Sequence, residues 1–178
     1  MLKLTISVPP KADFIEHPEI LLDAWRGGLE VLVKRHLLER NRSRPSRSPM
    51  PKSNYYADAA SAVTSAIVGS AAEVTIDHAG IALHYYGGTV LPTNGRKALS
   101  IPKNPAVHDA KPSEIDPSRK LLALIWPKGK TAGLLRHKDT NEIYYLLVKK
   151  ATIHADETVL PSEGALLEAA NNAMESIL

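Results

Sequence analysis

The chain has 178 residues, 44% of them hydrophobic and 23% charged, a balance that fits a one-domain globular protein and excludes a disordered or collagen-like one. It has no cysteine, so disulfides, thiolate nucleophiles and cysteine-ligated metals are excluded. A net charge of +3 hides an asymmetry: seven basic residues (Lys34, Arg35, Arg40, Arg42, Arg44, Arg47, Lys52) face one acid, Glu39, between Lys34 and Lys52.

Leu2, Leu4, Ile6 and Val8 alternate with Lys3, Thr5 and Ser7, predicting a half-buried strand ended by Pro9-Pro10. Pro18 suits the first turn of a helix. Leu22, Trp25, Leu29, Leu32 and His36 follow at spacings of three and four, which predicts one long amphipathic helix over 18–40. Each glycine of Gly27-Gly28 costs that helix about 1 kcal/mol relative to alanine and marks a kink or a close helix contact. Asn41 to Pro51 contains three prolines and no apolar periodicity, predicting a flexible basic arm at about 41–53. The arm could hold phosphates, lie across an acidic neighbour, or be a solvated loop. No aromatic residue interleaves its arginines, so any nucleic-acid contact is electrostatic and nonspecific.

Asn54–Ser65, rich in alanine, predicts a short helix. Strands then dominate. Val74 and Ile76 alternate with Glu73, Thr75 and Asp77, and beyond the Ala79-Gly80 turn Ile81, Leu83 and Tyr85 alternate with Ala82, His84 and Tyr86, each run predicting a strand. Gly87-Gly88 breaks the pattern, Pro92–Gly95 is a turn cluster, and Ala98–Pro102 is a short strand. Residues 103–119 predict a long loop with at most one helical turn. Leu121–Trp126 predicts a buried strand, and Leu134–His137 with Ile143–Lys149 a hairpin around a short polar loop. Ser162 caps a last helix whose Leu166, Ala170, Met174 and Ile177 share a face. The order predicts a single α+β domain over 1–178. It combines a mostly antiparallel sheet, or a small sandwich or barrel, with a long N-terminal helix, a C-terminal helix and long extended loops.

Catalytic motifs fail on their own chemistry. Gly129-Lys130-Thr131 lacks the glycine a phosphate-binding loop needs at position 124, which is leucine. Ser100-Ile-Pro-Lys103 has serine–lysine spacing, but a proline ends a strand there instead of a helix beginning. His78 and His84 could lie on adjacent strands, yet spacing places no third ligand beside them, and the other histidines are scattered. No two carboxylates share a strand face beside a pocket. These readings predict no enzyme, metal or cofactor. No apolar run approaches the roughly 18 to 20 residues of a membrane helix, and residues 1–10 lack the pattern of a secretory signal. One Phe against six Tyr and two Trp hints at assembly surfaces.

Ile81 to Pro102 reads as a strand ending in an aromatic pair, a double glycine allowing a sharp change of direction, a Thr-Val-Leu-Pro run, a polar turn and a return. Such an excursion suits contact with a neighbouring subunit; an ordinary hairpin with a bulge at Gly87-Gly88 is the other reading. Through His84, Gly87, Gly88, Thr89, Val90, Pro92, Lys97, Leu99, Ile101 and Pro102 the block resembles the tailed-bacteriophage family of virion morphogenesis, tail completion or head–tail joining proteins. Its members carry Ile-His-x-x-Gly-Gly-Thr-Ile-x-Pro, a polar turn and Lys-x-Leu-x-Ile-Pro. Trp25 to Arg40 is similar to the family's long first helix, and Tyr55-Tyr-Ala-Asp-Ala-Ala60 to the Phe-Tyr-Ala-Asp-Ala-Ala of one subgroup. Tyr145 to Ile153 is similar to its strand before a short extended segment. Many members continue with Pro-Ala-Arg-Pro-Phe, where this chain has His154-Ala-Asp-Glu157.

The resemblance implies a structural virion protein, made in the bacterial host cytoplasm, with no active site and no cofactor. It implies assembly at the head–tail junction (neck, tail completion) as a ring around the DNA channel, joining connector to tail; a ring of this kind uses a heterologous interface that closes by rotation. The implied partners are copies of the chain and other connector, neck and tail proteins, with no membrane. Tyr85, Tyr86, Gly87, Gly88, Thr89, Val90, Pro92, Lys97, Leu99, Ile101 and Pro102 are then the expected subunit-interface loop, with 103–119 beside them. Arg40, Arg42, Arg44 and Arg47 are expected to contact either double-stranded DNA in the channel, nonspecifically, or an acidic partner. The alternative is a nonspecific nucleic-acid-binding module using the basic arm; a small hydrolase would need a pocket with convergent titratable groups.

Overall fold

In the computed structural model, which describes residues 1–7, 18–44, 51 and 53–176, the N-terminal alternation forms strand β1 (Leu2–Ser7). Pro18 opens helix α1 (Pro18–Ser43), its missing N–H and fixed φ being harmless in a first turn. The helix buries a stripe of Leu22, Leu29, Val33 and Leu37. It also runs past its predicted end, so Asn41–Ser43, expected in an extended arm, is helical. The first breaker is Pro45, which disfavours helix at Arg44 before it. The rest of the expected arm, 45–50 and 52, with Arg47, lies outside the described residues.

The alanine-rich stretch does not stay helical to Ser65. Helix α2 (Tyr55–Ser61) gives way to strand β2 (Val63–Val68), which pairs antiparallel with β3 (Ala71–Ile76). The β-branched Val63, Thr64, Ile67 and Val68 favour the extended backbone. In β3 the period-two pattern holds, with Ala72, Val74 and Ile76 buried. Ile81–Tyr86, predicted as a strand, is helix α3. Six residues cannot settle the period. Packing does, because Ile81, Ala82 and Tyr85, one helical face, meet the core.

Beyond it come β4 (Gly88–Val90), β5 (Leu99–Pro102), a 3₁₀ turn at Pro105–Val107, α4 (Pro112–Ile115), β6 (Leu122–Ile125), β7 (Ala132–His137), β8 (Ile143–Val148) and β9 (Ala151–Ile153). A 3₁₀ turn at Glu157–Val159 precedes helix α5 (Glu163–Glu175). Ser162 caps α5 by accepting the Ala165 N–H at 3.3 Å. Ala170 on its predicted face is buried, while Ile177 lies outside the described residues. The β7–β8 hairpin forms as predicted, but β6 is no buried strand. It ends the sheet order β5-β8-β7-β6, and Leu124 is 63% exposed. The described chain is α+β, its strand pairs all antiparallel, with a long first helix and a helix last. No described helix is long and apolar enough to cross a membrane.

Two compact units result: residues 1–44, 54–87 and 154–178 form the first, and 45–53 with 88–153 the second. In the first, the sheet β1-β3-β2 and α1 enclose a core that includes Leu29, Val33, Leu37, Tyr56, Val74, Ile76, Ile81 and Val159. Each such aliphatic side chain contributes roughly 1.5–3 kcal/mol. Arg26 Nη1 donates to the Ser65 hydroxyl at 3.1 Å, and that hydroxyl donates to Glu30, tying α1 to β2. Helices α1 and α5 approach at Gly28, where a Cβ would stand 2.8 Å from the Ala173 Cβ. In the second unit Tyr145 is fully buried and its hydroxyl donates to the Ala110 carbonyl at 2.9 Å. The buried Asp116 carboxylate accepts from the Lys120, Leu121 and Leu122 N–H groups at 2.8, 3.0 and 2.8 Å, fastening the loop before β6.

Candidate functional site

The arginines expected to meet DNA or an acidic partner begin at the last turns of α1. Arg40 donates to the Thr158 carbonyl at 2.9 Å, to the Thr158 hydroxyl at 2.6 Å and to the Asp156 carboxylate. Its guanidinium lies 5.4 Å over the Tyr56 ring, a cation–π contact. Beside it, the His36 Nε2–H donates to the same Thr158 carbonyl at 3.0 Å. Arg40 therefore ties α1 to the turn before α5. The Thr158 hydroxyl, with Arg40 beside it, holds the Asp156 carboxyl below its usual range despite partial burial. Arg44 lies 5.8 Å over Tyr56, and Arg42 is exposed.

Tyr55 stands edge-on to Tyr56 and His78, with ring centroids at 5.2 and 4.7 Å, and tilted against His84 at 4.9 Å. His78 and His84 are thus neighbours through Tyr55, not through paired strands. Burial, then the positive charge of Arg44, pushes the His84 pKa down. Burial, then Tyr56, pushes the Tyr55 phenol up to about 12. Both groups are neutral near pH 7, which suits a packed cluster more than proton transfer. No group of three His, Asp or Glu side chains among the described residues could hold a metal ion.

The block expected to form the interface loop has mixed surroundings. Tyr85 and Tyr86 meet edge to face at 4.8 Å, and Tyr86 is 71% exposed. Gly87 and Gly88, at φ 72° and 155°, adopt backbone that favours glycine and turn the chain into β4, which pairs Thr89 with Thr152. Val90 and Pro92 are half-buried around Leu91, itself 59% exposed. Leu99, Ile101 and Pro102 lie on β5, an end strand of its sheet, where they pair with β8 and are half-buried. Lys97 instead stands on a cleft.

That cleft is a cavity of about 640 Å³ in the second unit, with Arg96, Lys97, Lys111 and Lys149 around Leu124, Trp126 and Leu147. No carboxylate among the described residues lines it. The Trp126 ring rests on Gly133, where a Cβ would come within 2.3 Å of it, and its Nε1–H donates to the Lys130 carbonyl at 3.1 Å. Lys111 is paired with Glu114 at 3.5 Å; Arg96, Lys97 and Lys149 make no ion pair among the described residues. No motif search finds this site, because its cations come from separate segments. The signal is charge counted by unit. Residues 88–153 hold twelve Lys and Arg against five Asp and Glu, a charge of +7, whereas 1–44, 54–87 and 154–178 hold eight against fourteen, a charge of −6.

Compared with protein-family models, curated proteins and solved structures, the chain matches none.

Proposed function

We propose that the chain is a structural virion protein of a tailed bacteriophage acting at the head–tail junction, where copies assemble as a ring around the DNA channel and join connector to tail. The observation that carries this reading is the Ile81–Pro102 block, whose sequence pattern suggested it. Tyr86 before its double-glycine turn and Leu91 after it are each exposed, and each is available to a neighbouring subunit. The opposite charges of the two units supply attraction between copies of one chain. Electron microscopy of a lysate from phage carrying an early stop codon in this gene tests the reading. Filled heads and finished tails lying unattached are the expected outcome. Heads without tails would move the protein into the tail, and normal infectious particles would overturn the proposal.

A second reading, nonspecific binding to nucleic acid, is favoured by the +7 charge of residues 88–153 more than by the arginines at the end of α1. It requires affinity for duplex DNA that falls steeply with salt. A gel-shift titration of the full chain at two salt concentrations, showing no such affinity, would remove it.

A further inference from the structure

We propose that the basic cleft of the second unit receives the exposed face of α5 from a second copy, joining copies head to tail. The inference rests on the assembly reading above and names its contact. The cleft has two demands. Its rim is cationic, with Arg96, Lys97 and Lys149 lacking carboxylate partners among the described residues, and its floor is apolar, with Leu124 63% exposed beside Trp126. Both demands are met by α5. Glu163–Glu175 contains three glutamates and no basic residue, and none of the three has an ion pair among the described residues. Leu167 is 51% exposed, with Glu163 one turn before it and Glu168 next to it, so one apolar knob stands between carboxylates.

The opposite face of α5 is held. Ala169 and Ala173 lie against Gly28 of α1, so the acidic face is presented on a fixed support and little entropy is lost on docking. A nucleic-acid strand would satisfy the rim and stack a base on Trp126, but it leaves the aliphatic floor of Leu124 and Leu147 without an apolar partner, whereas a leucine between glutamates fits rim and floor together. Cleft and helix are different surfaces, so the contact is heterologous. Every pair leaves one cleft and one helix open, and growth stops only when a ring closes.

Three chains test this in sedimentation velocity: the wild type, Glu168→Lys on the helix and Lys149→Glu at the cleft. Both substitutions are at exposed positions, and circular dichroism checks each fold. The wild type is expected to self-associate at low salt and dissociate as salt rises. Each reversal is expected to weaken association by roughly 100-fold, because like charges meet in the contact. Mixing the two variants is diagnostic. The intact cleft of one accepts the intact helix of the other, and the reversed helix meets the reversed cleft with opposite charges again, so the mixture associates where each variant alone does not. Assembly that both reversals leave unchanged overturns this contact and leaves the ring reading standing, which the lysate microscopy judges separately. A wild-type chain monomeric at low salt and high concentration also overturns the contact. So does a labelled single-stranded oligonucleotide bound by the wild type and by Glu168→Lys but lost in Lys149→Glu, without self-association.

Discussion

Two adjacent glycines in α1 have opposite expected responses to the same substitution. At Gly28 an added methyl meets the Ala173 Cβ at 2.8 Å and the Ala169 carbonyl at 3.0 Å, so Gly28→Ala forces α1 and α5 apart and is expected to cost about 1–3 kcal/mol. At Gly27 nothing lies within 4 Å, and Gly27→Ala is expected to add about 0.5–1 kcal/mol through helix propensity alone. Thermal denaturation of the two variants checks the pair. His84 predicts a pH dependence. Burial, then Arg44, lowers its folded pKa, so protonation favours the unfolded chain. Its contribution is complete above the unfolded value of about 6.5 and is lost as pH falls through that value toward the folded one. His84→Phe keeps a ring against Tyr55 and removes the titration, so its melting temperature should fall less than the wild type's between about pH 7 and pH 5.

At the scale of elements, two polar anchors hold segments that apolar periodicity does not specify. Arg40 ties the end of α1 to Asp156 and Thr158. Arg40→Met keeps the stem over Tyr56 but drops the hydrogen bonds, at an expected cost of about 1 kcal/mol, since the pair is partly solvated. Urea denaturation measures that loss, and an unchanged midpoint would sink the anchoring role. In the second unit, burial pushes the Asp116 carboxyl up, but its backbone N–H donors outweigh that and leave it below the usual range. A lowered carboxyl stabilises the fold above its unfolded pKa and ceases to do so as pH falls through the folded value. Asp116→Ala leaves three N–H groups without their acceptor, and amide exchange at Lys120–Leu122 is expected to accelerate while the first unit's core amides keep their protection.

For the molecule as a whole, charge is segregated between the units, −6 in the first against +7 over residues 88–153. Linear reading gives weight to Arg40, Arg42, Arg44 and Arg47 because they are neighbours in sequence, yet Arg40 serves a contact inside its own unit. The cations of the cleft escape that reading because residues 96–97, 111 and 149 are far apart along the chain and come together only through the β5-β8-β7-β6 sheet and the start of α4.

Local chemistry alone determined β1, the start of α1, the β7–β8 hairpin and the Ser162 cap, because period-two alternation, a proline at a helix start and a hydroxyl before a helix act within a few residues. Tertiary structure decided the rest. It made Ile81–Tyr86 a helix, since only that geometry turns Ile81, Ala82 and Tyr85 to one core. It placed β6 at a sheet edge, where Leu124 stays exposed though its sequence reads as buried. It also chose which glycine of Gly27-Gly28 matters, because a helix contact depends on what lies opposite, and no local pattern encodes that.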